Sequence, residues 1–304
     1  MVDFNSRRDF IAKSLIAFPG ICLASGSIFN TKEEYKKITI LHTNDVHSHI
    51  MPLQNGENKG CGGFAQRSSI IKKIREKEKN VLLFDAGDIF QGTPYFNIYK
   101  GELELKLMSL LKYDAATIGN HDFDAGLDGL VEQLPLANFP FISSNYNFSD
   151  TVMENKHLAN KIFKLDGIKI GVFALGVELS GLVPKKLYGN TEYINPLKIA
   201  QKQINILKEE IKCDILICLS HLGYSYKSNK ISDLVIAKET SGIDLIIGGH
   251  THTFLNEPTP IKNKSGKITL VNQVGWAGIY LGKIDFYINH KNQLSYNSSK
   301  IRVG

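Results

Sequence analysis

Five short polar segments contain residue types that bind divalent metals, and each follows an apolar run typical of a β-strand. The segments are residues 44–47 (Asn-Asp-Val-His), 87–88 (Gly-Asp), 119–122 (Gly-Asn-His-Asp), 220–221 (Ser-His) and 248–252 (Gly-Gly-His-Thr-His). Imidazole, carboxylate and carboxamide groups together suit borderline ions such as Zn, Mn or Fe. Because ligands bind at the carboxyl ends of strands in open α/β sheets, the five segments can converge on one metal site.

Each segment taken alone has a simpler interpretation. An Asp-x-His sequence is often a turn with a solvated histidine, and a histidine after a strand is often a hydrogen-bonded core residue. The distribution of histidine favours the metal site, because six of the nine histidines lie in or beside these segments. They are His47, His49, His121, His221, His250 and His252.

The elements that must position these segments alternate between strands and helices from about residue 36 to the end of the chain. We predict strands at 38–41, 81–84, 115–118, 139–142, 161–165, 168–175, 215–219, 243–247, 268–271, 279–288 and 294–302. We predict helices at 64–79, 102–111, 127–134 and 196–211. This order predicts one α/β domain with a largely parallel layer, to which antiparallel strands are added near the C-terminus.

The five segments, in this order, resemble those of the calcineurin-like metallophosphoesterase family. Residues 43–49 (TNDVHSH), 85–94 (DAGDIFQGTP) and 119–124 (GNHDFD) are similar to the 5′-nucleotidase branch of that family. The resemblance runs from about Lys36 to the C-terminus. It implies a four-layer α/β/β/α sandwich with two mixed sheets, and two divalent metal ions (Mn, Zn or Fe) at one edge. It also implies hydrolysis of phosphate monoesters, nucleotides among them, by a hydroxide held between the two ions.

The resemblance further implies a role for each matching residue. One metal would be held by Asp45, His47 and His252. The other would be held by Asn120, His221 and His250. Asp88 would bridge the two ions, and His121, oriented by Asp124, would act on the phosphoryl group or the leaving group. Asn120 and Arg67 are the expected substrate contacts, and Asp122 stands where relatives often have Glu.

The composition is that of a soluble globular protein, with 43% hydrophobic and 22% charged residues and a net charge of +6. The lysines are scattered, with no basic block of the kind that binds nucleic-acid polymers, so we expect a small anionic substrate instead. Of the five arginines, only Arg67, Arg75 and Arg302 lie beyond residue 30, which leaves few candidates for a bidentate phosphate contact. None of the four cysteines forms a CxxC pair, so we expect neither a disulfide framework nor a zinc finger.

Residues 1–30 resemble a twin-arginine export signal, with Arg7 and Arg8 followed by Phe10 and an apolar stretch at 14–29. The alternative is an amphipathic helix that happens to carry two arginines. We expect a periplasmic or other extracytoplasmic location with no transmembrane span. A lipid anchor at Cys22 is not expected, because Ile21 precedes it where lipoproteins carry a small residue.

The 5′-nucleotidases that this chain resembles carry a second, C-terminal domain, and little sequence follows His252 here. We therefore expect a catalytic half that either works with a separately encoded partner domain or accepts many phosphate esters. A thiosulfohydrolase with the same metal site is the closest alternative activity. A non-catalytic metal-binding module is the alternative from another class, although neither a ligand nor the His121–Asp124 pair is lost.

Overall fold

The computed structural model describes residues 35–304, and the predicted export signal lies outside this range. In chain order the strands are β1 (Lys36–Thr43), β2 (Val81–Asp85), β3 (Ala115–Ala116), β4 (Tyr146–Asn147), β5 (Asn160–Leu165), β6 (Ile168–Leu175), β7 (Glu192–Tyr193), β8 (Ile215–Ser220), β9 (Leu245–Gly248), β10 (Thr259–Lys262), β11 (Ile268–Asn272), β12 (Tyr280–Ile288) and β13 (Leu294–Arg302). The α-helices are α1 (Phe64–Lys77), α2 (Pro94–Tyr99), α3 (Glu102–Leu110), α4 (Gly126–Gln133), α5 (Lys185–Tyr188), α6 (Pro196–Ile204) and α7 (Asp233–Glu239). Two 3₁₀ turns lie at His121–Phe123 and Leu134–Leu136.

Two large mixed sheets form the centre of the domain. The first has the order β13-β12-β1-β2-β3, in which β1, β2 and β3 are parallel and β12 and β13 are antiparallel additions. The second has the order β10-β11-β9-β8-β6-β5, in which the four inner strands are parallel and both edge strands are antiparallel. The parallel strands end at the same edge of each sheet, which is where the polar segments follow.

The two sheets pack face to face and each is covered by helices on its outer face. The side chains of β2 alternate between the two faces of the sheet. Those of Leu82 and Phe84 lie in the core between the sheets, whereas that of Leu83 lies in the core under α1 and α3. On the outer face of the second sheet, Phe173 and Cys218 pack with residues of α6 and α7 such as Ile199 and Ile236. Residues 35–304 therefore form a four-layer α/β/β/α sandwich, as the family resemblance implied.

Most predicted elements are present within a residue or two of their predicted ends. The hairpin between β5 and β6 turns at Asp166 and Gly167, both with positive φ (52° and 80°), as a two-residue type I′ turn requires. The predicted strand at 139–142 is reduced to isolated bridges at Phe141 and Ile142, because Pro140 has no N–H to donate to a ladder. The predicted helix 196–211 consists of α6 followed by a π-helical segment at Asn205–Glu210.

Three described cysteines, Cys61, Cys213 and Cys218, are buried and free. Within residues 35–304, none of the helices is both long and apolar enough to span a bilayer.

Candidate metal centre

The segments after β1, β2, β3, β8 and β9 meet at one edge of the sandwich. Two groups of ligand-type side chains form there, and within each group the ligand atoms lie within 4.8 Å of one another. One group consists of Asp45, His47 and His252. The other consists of Asp88, His221 and His250. The structure therefore brings together residues that are more than 200 positions apart and that the family resemblance assigned to two adjacent metal sites.

Asp88 lies between the two groups. Its Oδ2 is 3.1 Å from His221 Nε2 and 3.7 Å from His47 Nε2, so one carboxylate faces a histidine of each group. Its Oδ1 accepts a 2.8 Å hydrogen bond from the backbone N–H of His121. This placement is the one that a bridging ligand requires.

The backbone is unusual at five of the six Asp and His residues expected to bind metal. Asp45, His47, Asp88, His250 and His252 all have positive φ, between 48° and 70°. This left-handed region costs a non-glycine residue of order 1–3 kcal/mol, and such residues concentrate at functional sites. The surrounding hydrogen bonds, among them the one from the Ala277 N–H to the Asp45 carbonyl, hold these conformations.

Two glycines allow the loops to approach so closely. A Cβ at position 119 would lie 2.2 Å from Asp88 Oδ1, and one at position 249 would lie 2.8 Å from His221 Nδ1. Both distances are shorter than any van der Waals contact, so only glycine fits at either position. The Gly-Asn-His-Asp and Gly-Gly-His-Thr-His sequences thus carry a steric requirement in addition to their ligands.

The donor and acceptor pattern fits a cation at the centre of the cluster. His221 Nδ1 must donate its proton to the Ala86 carbonyl at 2.7 Å, which leaves Nε2 as a lone pair directed at the Asp88 carboxylate. His47 Nδ1 likewise faces the Phe90 carbonyl at 3.3 Å, and its Nε2 lies 3.0 Å from His252 Nε2. A positive charge at each of these points, either a proton or a metal ion, satisfies these contacts, and a metal ion there would use the same nitrogens as ligands.

One buried polar atom reinforces that conclusion. Asn120 Oδ1 is buried without a hydrogen-bond partner among the described residues, and it is an atom expected to bind metal. A buried polar atom without a partner is costly, so this atom indicates a ligand.

The pKa shifts of His221 and Asp88 also indicate that this cluster favours a positive charge beside the Asp88 carboxylate. Burial opposes protonation of His221, but the adjacent Asp88 carboxylate overcomes it and raises the pKa of His221 to about 10. Burial also opposes ionisation of Asp88, yet the charge and hydrogen bond of His221 lower the pKa of that carboxyl below its ordinary value. Burial lowers the pKa of His250 to about 4, which keeps its imidazole neutral and available as a ligand.

His121 and Asp124 form a pair beside the two ligand groups. His121 Nδ1 lies 2.9 Å from Asp124 Oδ2, and this hydrogen bond raises the pKa of His121 above its ordinary value. The His121 side chain is 38% exposed, and its ring centre is 5.3 Å from that of His47. The imidazole therefore faces solvent next to the cluster, while its Nδ1 is held by the Asp124 carboxylate.

Arg67, expected as a substrate contact, has no solvent exposure. Its guanidinium carbon lies 4.2 Å from the centre of the Phe64 ring, and its nitrogens have no hydrogen-bond partner among residues 35–304. Arg75 donates to the carbonyls of Leu111 and Lys112, and Arg302 donates to Cys61. Arg67 thus lies in the interior, and its contact with substrate stays a prediction.

Asp122 has a structural role that the sequence did not reveal. It is fully buried, and its two oxygens accept four backbone N–H bonds of 2.7 to 3.1 Å. The donors are Asp88, Ile89, Phe90 and Gly119. Asp122 therefore fastens the loop that carries Asp88 to the loop that carries Asn120 and His121.

Gln273 is a second such residue and carried no recognisable pattern. Its amide donates to the Gly249 carbonyl at 2.6 Å, and its Oε1 accepts from the backbone N–H of Thr253. The loop with His250 and His252 is thus fixed from both ends by one buried side chain.

Comparison with known proteins supplies the family. The calcineurin-like phosphoesterase family model matches residues 38–254, which is most of the chain. The chain belongs to the calcineurin-like phosphoesterases. Members of this family are metal-dependent phosphoester hydrolases that use two divalent ions, in keeping with the two ligand groups.

Individual relatives within the calcineurin-like phosphoesterases are 5′-nucleotidases. The chain is 32% identical to snake venom 5′-nucleotidase of Crotalus adamanteus, over 86% of this chain and 47% of the relative. The solved 5′-nucleotidase precursor of Thermus thermophilus has a TM-score of 0.80 at 30% identity, over 88% of this chain and 55% of that one. This chain is thus 5′-nucleotidase-like, and it spans about half the length of the curated relatives it matches.

A third comparison concerns fold alone. The solved sulfate thiohydrolase SoxB of Thermus thermophilus has a TM-score of 0.73 at 18% identity, over 88% of this chain and 56% of that one.

Proposed function

We propose that the chain hydrolyses phosphate monoesters, with nucleotides as the preferred class. The observation that carries the proposal is the pair of ligand groups around Asp88, with the His121–Asp124 pair at their exposed side. The relatives named 5′-nucleotidases support the choice of nucleotides.

In this proposal, seven residues hold two divalent ions. Asp45, His47 and His252 hold one, Asn120, His221 and His250 hold the other, and Asp88 contacts both. When bound, the ions supply Lewis acidity toward the phosphoryl oxygens and toward water. The hydrogen bonds from His221 to Ala86 and from His47 to Phe90 fix the tautomers that leave both Nε2 atoms free to bind.

His121 would contact the phosphoryl group or the leaving oxygen. The hydrogen bond with Asp124 raises the pKa of the imidazole above its ordinary value, which favours the protonated form. That proton can stabilise charge on the phosphoryl oxygens or be passed to the departing alkoxide. The hydrogen bond from Nδ1 to Asp124 leaves Nε2 as the nitrogen that could contact substrate.

The first experiment measures phosphate release by the chain from AMP, UDP-sugars, 2′,3′-cyclic nucleotides and p-nitrophenyl phosphate, with Mn²⁺, Zn²⁺ or EDTA. Asp88→Asn is the test variant. Asp114→Asn is the matched control, because it changes a carboxylate that accepts from the Leu83 N–H in the middle of β2. We expect metal-dependent release that Asp88→Asn abolishes and Asp114→Asn retains, with nucleotides turned over best.

The same experiment, with a thiosulfate ester included among the substrates, separates the alternative activities. Turnover of a thiosulfate ester that exceeds turnover of every phosphate ester would replace the proposal with a thiosulfohydrolase. Binding of two ions without turnover of any ester would favour a chain that needs a separately encoded partner domain or acts without catalysis.

We also propose extracytoplasmic location through residues 1–30. The support is the sequence around Arg7 and Arg8, which lies outside the described residues. Replacement of both arginines by lysine should retain the activity in the cytoplasm of the expressing cell, whereas equal export of the variant and the parent would refute this assignment.

A further inference from the structure

The only tryptophan of the chain, Trp276, lies beside the ligand group of Asp45, His47 and His252. Its ring stacks on the His252 imidazole with a centre-to-centre distance of 5.9 Å and an angle of 11° between the planes. It also receives the edge of His49 at 5.2 Å. His49 is two residues from His47, and its own ring is fixed by a 3.0 Å hydrogen bond from Nδ1 to the Val46 carbonyl.

His252 depends on this stack more than His221 and His47 do. His221 and His47 have an Nδ1 hydrogen bond to a backbone carbonyl, as metal-binding imidazoles usually have. His252 Nδ1 has no such partner among residues 35–304, and its side chain is 39% exposed. The surface packed against this ring is therefore what sets its plane.

The turn at residues 275–278 contacts the chain on both sides of that ligand group. The Gly275 N–H bonds to the Thr253 carbonyl at 3.0 Å, next to His252, and the Ala277 N–H bonds to the Asp45 carbonyl at 2.8 Å. Trp276 stands between these two bonds and is itself packed on a small core of Cys61, Ala277 and Ile279. Within the described residues, the ring contacts of Trp276 are with His49 and His252 and not with His221 or His250.

We infer that Trp276 is a positioning residue for one of the two metal sites, in which it fixes the His252 ring by stacking. This inference rests on the proposed function, because it requires that Asp45, His47 and His252 bind a metal. It predicts that loss of the indole weakens one site and leaves the other, built on Asn120, His221 and His250, unchanged.

The test is a calorimetric titration of the metal-free chain with Mn²⁺ or Zn²⁺, comparing the parent with Trp276→Leu and Trp276→Phe. Loss of an outer-shell partner typically weakens metal binding by about 10- to 100-fold. We expect Trp276→Leu to weaken one of two binding steps by at least about tenfold. Trp276→Phe, which retains a stacking ring, should restore most of the affinity.

Tyr280→Leu is the matched control, because Tyr280 packs on the same small core but contacts Phe254 and Lys300 instead of a ligand. It should bind both ions as the parent does. Since Trp276 is the sole tryptophan, its fluorescence emission should also change saturably as the adjacent site of the parent fills.

Two ions bound with unchanged affinities by Trp276→Leu, or with both steps weakened equally, would overturn the inference and leave the proposed function intact. Parent emission that does not respond to two bound ions would overturn it also, without any variant. A parent chain that binds no metal would overturn the proposed function itself.

Discussion

Replacement of Asp122 by Asn tests whether this buried carboxylate holds the metal-binding loops together. Asp122 Oδ2 accepts from the N–H groups of Gly119 and Asp88, at 2.7 and 3.0 Å, and Oδ1 accepts from those of Ile89 and Phe90. An Asn side chain keeps one oxygen and turns an NH₂ toward the remaining two donors. Asp122→Asn is therefore a nearly isosteric change that removes two of four hydrogen bonds.

The magnitude follows from the donors left without an acceptor. A buried donor that loses its partner costs about 1–3 kcal/mol, so two of them should cost about 2–6 kcal/mol. A domain of ordinary stability has about 5–15 kcal/mol in total, so the variant should fold but unfold much more easily. Asp122→Ala would leave all four donors without partners and is the less informative choice.

The assay is urea unfolding in EDTA at a pH one unit above the pKa of Asp122. Burial and the nearby Asp88 carboxylate raise that pKa to about 7, so a pH of about 8 keeps the parent side chain ionised. Asp114→Asn is the control, since Asp114 is partly exposed and accepts one backbone bond, from Leu83, that an amide oxygen can still accept. A loss below about 1 kcal/mol for Asp122→Asn, or one no larger than that of the control, would refute the reasoning.

Three further changes have defined outcomes. His121→Asn should lower kcat by about 100-fold or more while both metals remain bound, because a general acid contributes about 10²–10⁴-fold; unchanged kcat would exclude that role. Gly249→Ala should weaken metal binding at least about tenfold, because its Cβ would lie 2.8 Å from His221 Nδ1 and disturb a ligand that the Ala86 carbonyl orients; metal analysis after dialysis checks this. Burial lowers the pKa of His42 from its ordinary value of 6.5 to about 3, so the unfolded chain binds the proton more tightly, and stability falls as pH falls through that window. The parent should therefore lose about 2 kcal/mol of its free energy of unfolding between about pH 7 and pH 5, and His42→Asn should not show this loss. Urea midpoints at the two pH values measure the loss, and an equal loss in both chains would contradict the prediction.

Local patterns were sufficient for the α/β domain and for the convergence of the polar segments, whereas the four-layer sandwich and the two ligand sets were implied by the family resemblance. Apolar runs predicted the strands, and the polar segments that follow five of them lie at one edge of the sandwich. The Asp166-Gly167 turn was equally local, since two successive positive φ angles are a property of those two residues. Local features of this kind can be predicted without a structure.

The contacts that stabilise the site could not be predicted in the same way. Gln273 bonds to Gly249 across 24 positions, and Trp276 stacks on His252 from another loop, and neither residue type indicates such a contact. Arg67 was expected at the site because arginine binds phosphate, but packing against Phe64 places it in the interior. Burial is a property of the assembled fold, and a single residue's type does not decide it.

The most direct test of the metal centre is anomalous diffraction from crystals of the chain grown with Mn²⁺ or Zn²⁺. We expect two anomalous peaks about 3.5–4 Å apart, the separation typical of paired catalytic ions. One peak should lie among Asp45, His47 and His252, and the other among Asn120, His221 and His250, with Asp88 in contact with both. A single peak, or two peaks that do not share Asp88, would contradict the account.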